Sequence, residues 1–252
     1  MIPPTSAMSP DMARPLVLFD IDGTLLVAGD PDHIPCLTDA LSEVFGRPVT
    51  LDGVPLGGNQ ELAIAREAAR RAGVDDAEID ARLDDVMAGL GRRFLARVGD
   101  RRHRLLPGAP AAVAALAAAG WDLGLLSGGA RAVSLAKVRA AGLADHFPFG
   151  AFGDDHEDRA ELVPIALSAG AAHHGGHHRA GATVLVGDTP RDIDAARRAG
   201  CGVVAVATGR FGIDELAAHR PDAVLDDLSD PSEVVAACRR AVPDSAPGRA
   251  QG

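Results

Sequence analysis

The chain has 252 residues, 47% of them hydrophobic and 24% charged, with a formal net charge of −10. That length fits one sizeable core, or a core carrying an insertion, and the composition is that of a globular protein. The acidic balance argues against nucleic acid as the principal partner, because backbone-phosphate binding on that scale needs a basic face, whereas a small phosphate ester needs only a positive pocket.

No stretch approaches the ~20 apolar residues of a membrane span, and residues 1–14 hold no apolar run of signal-peptide length. No membrane partner is expected, and the expected compartment is the cytoplasm. Cys36, Cys201 and Cys238 are an odd number without metal-ligand spacing, which reads as reduced thiols used for packing. Residues 1–14 and 243–252, rich in small residues and proline, read as disordered tails.

The first predicted element is a strand over 16–20, built on the apolar run Leu16-Val17-Leu18-Phe19, and it delivers Asp20-Ile21-Asp22-Gly23-Thr24 at its C-terminal end. In extended chain residues i and i+2 share a side, so Asp20 and Asp22 face one crevice while Ile21 turns to the core. Gly23 permits a sharp turn.

From 27 to 107 the strands stop. Helical patterns at 33–46, 59–72 and 76–98 predict an inserted helical unit, with hinges near 26–30 and 100–108. Gly57, Gly58, Asn59 and Gln60 open the second of these helices, where free amides could meet a ligand or simply start a helix. Arg66, Arg70 and Arg71, and the hinge run Arg101-Arg102-His103-Arg104, read as solvated charge.

From 108 onward, strands at 122–126, 149–153, 183–187, 203–207 and 223–226 alternate with helices at 109–119, 130–141, 159–171, 190–199 and 231–241. That alternation predicts an α/β fold: a Rossmann-like three-layer α/β/α core around a parallel sheet. The expected strand order is 3-2-1-4-5, which would put the Asp20 and Asp188 strands side by side. Residues 15–26 and 108–242 form the core and 27–107 the insertion.

Ser127-Gly128-Gly129 follows the second strand, where a hydroxyl and amides can cradle a phosphoryl group. Lys137, inside the next helix, reads as a surface residue. Arg159 opens the helix before the fourth strand. His173, His174, His177 and His178, interleaved with glycine, read as loop residues without the fixed geometry of a metal site. The fourth strand, with the apolar run Val184-Leu185-Val186, delivers Gly187-Asp188-Thr189-Pro190-Arg191-Asp192, a second acidic turn at a strand's C-terminal end. Asp192 suits either a helix N-terminus or a supporting position beside a metal. Carboxylates from two such turns repel unless a hard cation joins them, and Mg2+ is the expected ion.

Asp20 to Thr24, Ser127-Gly128, a downstream cation and Asp188 to Asp192, in that order across residues 15–228, resemble the haloacid dehalogenase superfamily, in its helical-capped phosphatase branch. The resemblance implies a hydrolase of phosphoric monoesters acting on a small phosphorylated metabolite. Asp20 would be the nucleophile that forms an aspartyl phosphate, and Asp22 the proton donor that later activates water. It implies Mg2+ held by Asp20, the backbone carbonyl of Asp22 and Asp188, with Asp192 in support. Thr24, Ser127 and Gly128 would bind phosphate with a cation, for which Arg159 is preferred to Lys137 by its position before the fourth strand. The insertion corresponds to the family's helical cap.

Other readings are weaker. Dehalogenases lack the second aspartate, and phosphonate cleavage needs a cap lysine where residues 27–107 hold none. A sugar-phosphate mutase would share the whole site. A non-enzymatic aspartyl phospho-acceptor would need neither Asp22 nor a cap.

Overall fold

The computed structural model describes residues 14–99 and 103–242. The tail residues 1–13 and 243–252, and Arg101 and Arg102 of the hinge, lie outside that range. Six strands, β1 (Leu16–Phe19), β2 (Asp122–Leu126), β3 (Gly150–Ala151), β4 (Thr183–Gly187), β5 (Gly202–Val206) and β6 (Ala223–Leu225), form one parallel sheet. Its order is β3-β2-β1-β4-β5-β6, the expected order extended by β6 at the edge.

The helices are α1 (His33–Phe45), α2 (Glu61–Arg71), α3 (Asp76–Val98), α4 (Ala109–Ala118), α5 (Arg131–Ala140), α6 (Arg159–His174), α7 (Pro190–Ala199), α8 (Ile213–Ala218) and α9 (Pro231–Ala241). The sheet is covered on both faces, which is why its strands are apolar throughout. In β1 the alternation is complete: Val17 and Phe19 join the cluster under α4 and α9, while Leu16 and Leu18 join the one under α6, α7 and α8. All four side chains are fully buried.

Between β1 and β2 the chain is helical, as expected. Leu37, Leu41, Ile79, Leu90 and Phe94 of α1 and α3 form an apolar cluster that also takes in Ala130, Val133 and Ala136 at the start and on one side of α5. The insertion therefore shares its core with a helix of the α/β layer. Helices α3 and α5 come so close that a Cβ on Gly91 would sit 2.8 Å from the Ala132 methyl. The two connecting segments run side by side: Leu26 pairs with Leu105, and the Val27 amide donates to the Arg104 carbonyl at 2.9 Å.

Three differences from expectation have local causes. The third strand shrinks to Gly150–Ala151, because it pairs with β2 only over Leu125 and Leu126 at the sheet edge. Helix α6 continues past 171 to His174 and stops at Gly175, whose φ of 65° is the left-handed conformation glycine adopts without cost. His173 and His174 are thus helical rather than loop residues. Helix α8 is too short to carry a clear apolar period, and the sequence pattern does not predict it.

Candidate active site

The Asp20 amide donates to the Val186 carbonyl at 2.9 Å, carrying the β1–β4 ladder one residue beyond β1 and fixing Asp20 beside the end of β4. Ile21 is fully buried in the core, as the alternation requires. Gly23 has φ 98°, and a Cβ there would overlap the Asp188 carboxylate, so glycine serves both the turn and the close approach. Thr24 Oγ1 donates to Asp188 Oδ1 at 3.4 Å, and Thr208 Oγ1 donates to the Gly23 carbonyl at 2.6 Å. The two acidic turns meet: Asp20, Asp22 and Asp188 line one cavity of about 660 Å3 at the C-terminal ends of the strands.

Both candidate cations reach this cavity. Arg159, buried at the start of α6, donates from one terminal nitrogen to Asp20 Oδ1 at 2.7 Å, to Asp192 Oδ1 at 2.5 Å and to the Leu126 carbonyl at 3.1 Å. Lys137 donates to Asp22 Oδ2 at 2.7 Å. The expectation of a surface lysine is overturned, since Lys137 is only 2% exposed. The cause is its spacing: Ala130, Val133 and Ser134 are buried with Lys137, so the inward side of the helix carries position 137 toward the cavity.

Asp192 sits at the helix N-terminus and also reaches Arg159. Its Oδ2 accepts from the Thr189 amide at 3.0 Å and hydroxyl at 2.6 Å, closing a capping box on α7, while Oδ1 holds Arg159. Ser127 is buried; its Oγ accepts the Gly129 amide at 3.2 Å and lies 3.4 Å from Ser134 Oγ, so one of the expected cradle amides is used internally. Gly128 is closed in by Asn59 and Gln60, and its carbonyl accepts the Glu61 amide at 2.8 Å. The Leu62 amide donates to the Gly153 carbonyl at 3.0 Å. The first turn of α2 is therefore docked on the strand-end loops rather than aimed at a ligand, although Gly57, Gly58 and Asn59 do line the cavity. Arg66, Arg70 and Arg71 stay outside it, paired with Asp80 and Glu157, Asp76 and Glu67 respectively.

The pair His33 and Glu61 is a part of the site that sequence reasoning misses. Glu61 Oε2 lies 2.9 Å from His33 Nε2 and accepts the Ala130 amide at 3.1 Å, linking α1, α2 and the start of α5 inside the cavity wall. A glutamate in a first helical turn reads in sequence as a dipole partner, which hides this use. Burial alone would raise the Glu61 carboxyl, but His33, the Ala130 amide and the Lys137 charge outweigh it and hold the group below its ordinary value. Thr208 and Gly209, in the loop after β5, carry no motif. The signal for Lys137 is its solitude: it is the only lysine in the chain.

Electrostatically the site has an anionic surplus. Burial raises Asp20 well above the carboxylate range despite Arg159, with Asp192 and Asp188 pushing the same way. Asp188 is pushed up to about 7, first by burial and then by Asp192. Arg159, though penalised by burial, is held above its ordinary value by Asp192 and Asp20. Three buried carboxylates thus share one guanidinium. Oxygen donors with uncompensated charge fit a hard divalent cation and not a soft one. The Asp22 carboxylate is engaged with Lys137 through Oδ2.

Residues 15–200 match the model of the haloacid dehalogenase-like hydrolases, and the chain belongs to that family: it is a hydrolase. Over 210 residues it is 33% identical to the phosphoglycolate phosphatase of Mesorhizobium japonicum, covering 79% of this chain and 85% of that one. It is 29% identical over 221 residues to the phosphoglycolate phosphatase of Nitrosococcus oceani, covering 84% and 92%. Among solved structures, a predicted phosphoglycolate phosphatase from Haemophilus somnus superposes with a TM-score of 0.57 at 20% identity, over 90% of this chain and 99% of that one, a likeness of fold. Among the described residues, no helix is long and apolar enough to cross a membrane.

Proposed function

We propose that the chain is a magnesium-dependent phosphomonoesterase that acts on a small phosphorylated metabolite through an aspartyl phosphate on Asp20. The observation that carries this reading is the pair of adjacent strand ends, which bring Asp20 and Asp188 into one cavity with Arg159 on the first carboxylate and Lys137 on Asp22. An Asp20 oxygen attacks phosphorus as the bond to the leaving oxygen breaks, and Asp22 passes its proton to that oxygen. Asp22 then takes a proton from the water that attacks the aspartyl phosphate, freeing inorganic phosphate and restoring Asp20.

Mg2+ held by Asp20, Asp188 and the Asp22 backbone carbonyl would neutralise charge between an anionic nucleophile and an anionic substrate. Arg159 orients Asp20 and offers a permanent positive charge to the phosphoryl oxygens, with Ser127 and Gly128 in the same cavity wall, whereas Thr24, fully buried, supports the Asp188 carboxylate instead of reaching the phosphate. Lys137 orients the Asp22 carboxylate. Asp192 fixes Arg159. Residues 27–107 act as a cap over a core of 15–26 and 108–242, excluding water that does not take part in the reaction.

The relatives' names make phosphoglycolate a candidate, but the cavity wall favours a larger leaving alcohol with an apolar part. The insertion contributes Val27, Ile34, Leu37, Leu56 and Ile64, and its ionisable lining residues are His33 with two acids, Asp30 and Glu61. Outside the catalytic cluster, the cation available to a substrate carboxylate is Arg210. A panel of metabolite phosphates assayed with Mg2+ and with EDTA tests this. Turnover should require the metal, vanish in Asp20→Asn, and give a higher kcat/KM for esters of partly apolar alcohols than for phosphoglycolate. Undiminished turnover in Asp20→Asn would mean that another residue is the nucleophile.

A further inference from the structure

The far end of the sheet carries a second cluster, independent of the phosphatase reading. Asp122 opens β2 at the end opposite Ser127, about 16 Å away along five residues of strand. His174 is the last residue of α6, and His178 comes after its Gly175-Gly176 turn on the way to β4. His174 Nε2 lies 3.5 Å from Asp122 Oδ1 and His178 Nε2 lies 3.7 Å from Asp122 Oδ2. One donor atom from each residue lies within 4.8 Å of the other two.

Four polar atoms here have no hydrogen-bond partner although buried: Asp122 Oδ2, His174 Nε2, and both ring nitrogens of His178. The His178 side chain is 2% exposed and that of Asp122 is 5% exposed. Orphaned buried donors and acceptors on this scale are rare in folded proteins, each costing about 1–3 kcal/mol, and their convergence points to a shared ligand. Phe149 walls one side, with its ring centroid 6.0 Å from His178 and 5.7 Å from His174. Arg14, half exposed, approaches Asp122 Oδ1 at 3.3 Å and is the competing cation.

We propose that Asp122, His174 and His178 form a structural site for a borderline divalent metal of the Zn2+ class. Two imidazoles and a carboxylate are the donor set zinc takes and magnesium declines. In a tetrahedral zinc site donor atoms stand about 3.3 Å apart; the two histidine–aspartate separations are close to that, and the widest separation in the cluster, within 4.8 Å, closes as the side chains turn onto the ion. Water completes the fourth position from the partly exposed His174 side. The ion ties the start of β2, the end of α6 and the connector into β4, so its effect is on stability rather than on turnover.

The untagged full chain, stripped with EDTA and kept in excess Mg2+, is titrated with Zn2+ and with Co2+. One equivalent of Zn2+ should bind and raise Tm, and Co2+ should give the intense visible absorption of a tetrahedral site. His174→Ala with His178→Ala should weaken binding about a hundredfold or more, whereas the neighbouring exposed pair His173→Gln with His177→Gln should leave it unchanged. Binding that survives the first pair, or wild-type protein that takes up no Zn2+ in excess Mg2+, would overturn the site. Should the first pair fail to fold, the wild-type Co2+ spectrum decides, and weak octahedral absorption or none refutes the assignment.

Discussion

Replacing Asp188 by asparagine should stabilise the metal-free protein, and by a margin that depends on pH. In the folded state the Asp188 carboxyl is pushed up to about 7 from an ordinary 3.8, by burial and by Asp192. A carboxyl raised on folding binds its proton more tightly in the native state. Its favourable contribution is therefore complete below the unfolded value and is lost as pH climbs through the folded one. The difference amounts to about 4 kcal/mol over the full range, of which about 2–3 kcal/mol is lost between about pH 5 and about pH 8.

Asparagine keeps the shape and never ionises. Its advantage over wild type in EDTA should widen by about 2–3 kcal/mol from about pH 5 to about pH 8, read as the urea midpoint at constant slope. Added Mg2+ should reverse the ranking, because wild type gains binding energy that the variant lacks the carboxylate to collect. An Asp188→Asn protein less stable than wild type in EDTA at the higher pH would refute the claim that the site stores uncompensated negative charge.

Other perturbations separate the roles. Asp22→Asn should trap phosphoenzyme, detected as acid-stable label or an added mass of phosphate, and a variant that cycles normally would remove Asp22 from proton transfer. Arg159→Ala strands Asp20 and Asp192 without a counterion and should cost about 3–5 kcal/mol of stability along with nearly all activity. Lys137→Ala should leave the protein folded and slow turnover less than Arg159→Ala does; the reverse ranking would hand the phosphate-neutralising position to Lys137. A Cβ on Gly209 would overlap the Asp188 carboxylate, so Gly209→Ala should raise the Mg2+ concentration for half-maximal activity about tenfold or more, and unchanged metal dependence would count against Asp188 as a ligand.

The strand-end aspartates are legible because a buried parallel strand announces itself by an unbroken apolar run, and the residues just after such a run land at the ligand-binding edge. The parallel sheet comes from the strand–helix alternation, and the helical insertion from its interruption after β1. Lys137 enters the sequence reading only as the less favoured of two cations, because α5 is weakly amphipathic and packing against α3 decides which of its sides faces inward. Glu61 is hidden for a similar reason: its partners, His33 and Ala130, are distant in the chain. His174 can be placed in its helix, since Gly175 is an ordinary stop signal, but its convergence with Asp122 depends on how α6 lies against β2.

Because Ala130, Val133 and Ala136 belong to the apolar cluster of α1–α3, the insertion cannot swing as a free lid on its two connecting segments. An opening of the proposed cap would have to move α3 against α5 at the tight Gly91–Ala132 crossing, and α5 is the helix that bears Lys137 and Ser134. On the proposed reading, admission of a substrate and the Lys137–Asp22 contact are geared through one helix, and a residue at that crossing, far from any reacting atom, would tune how fast the enzyme turns over.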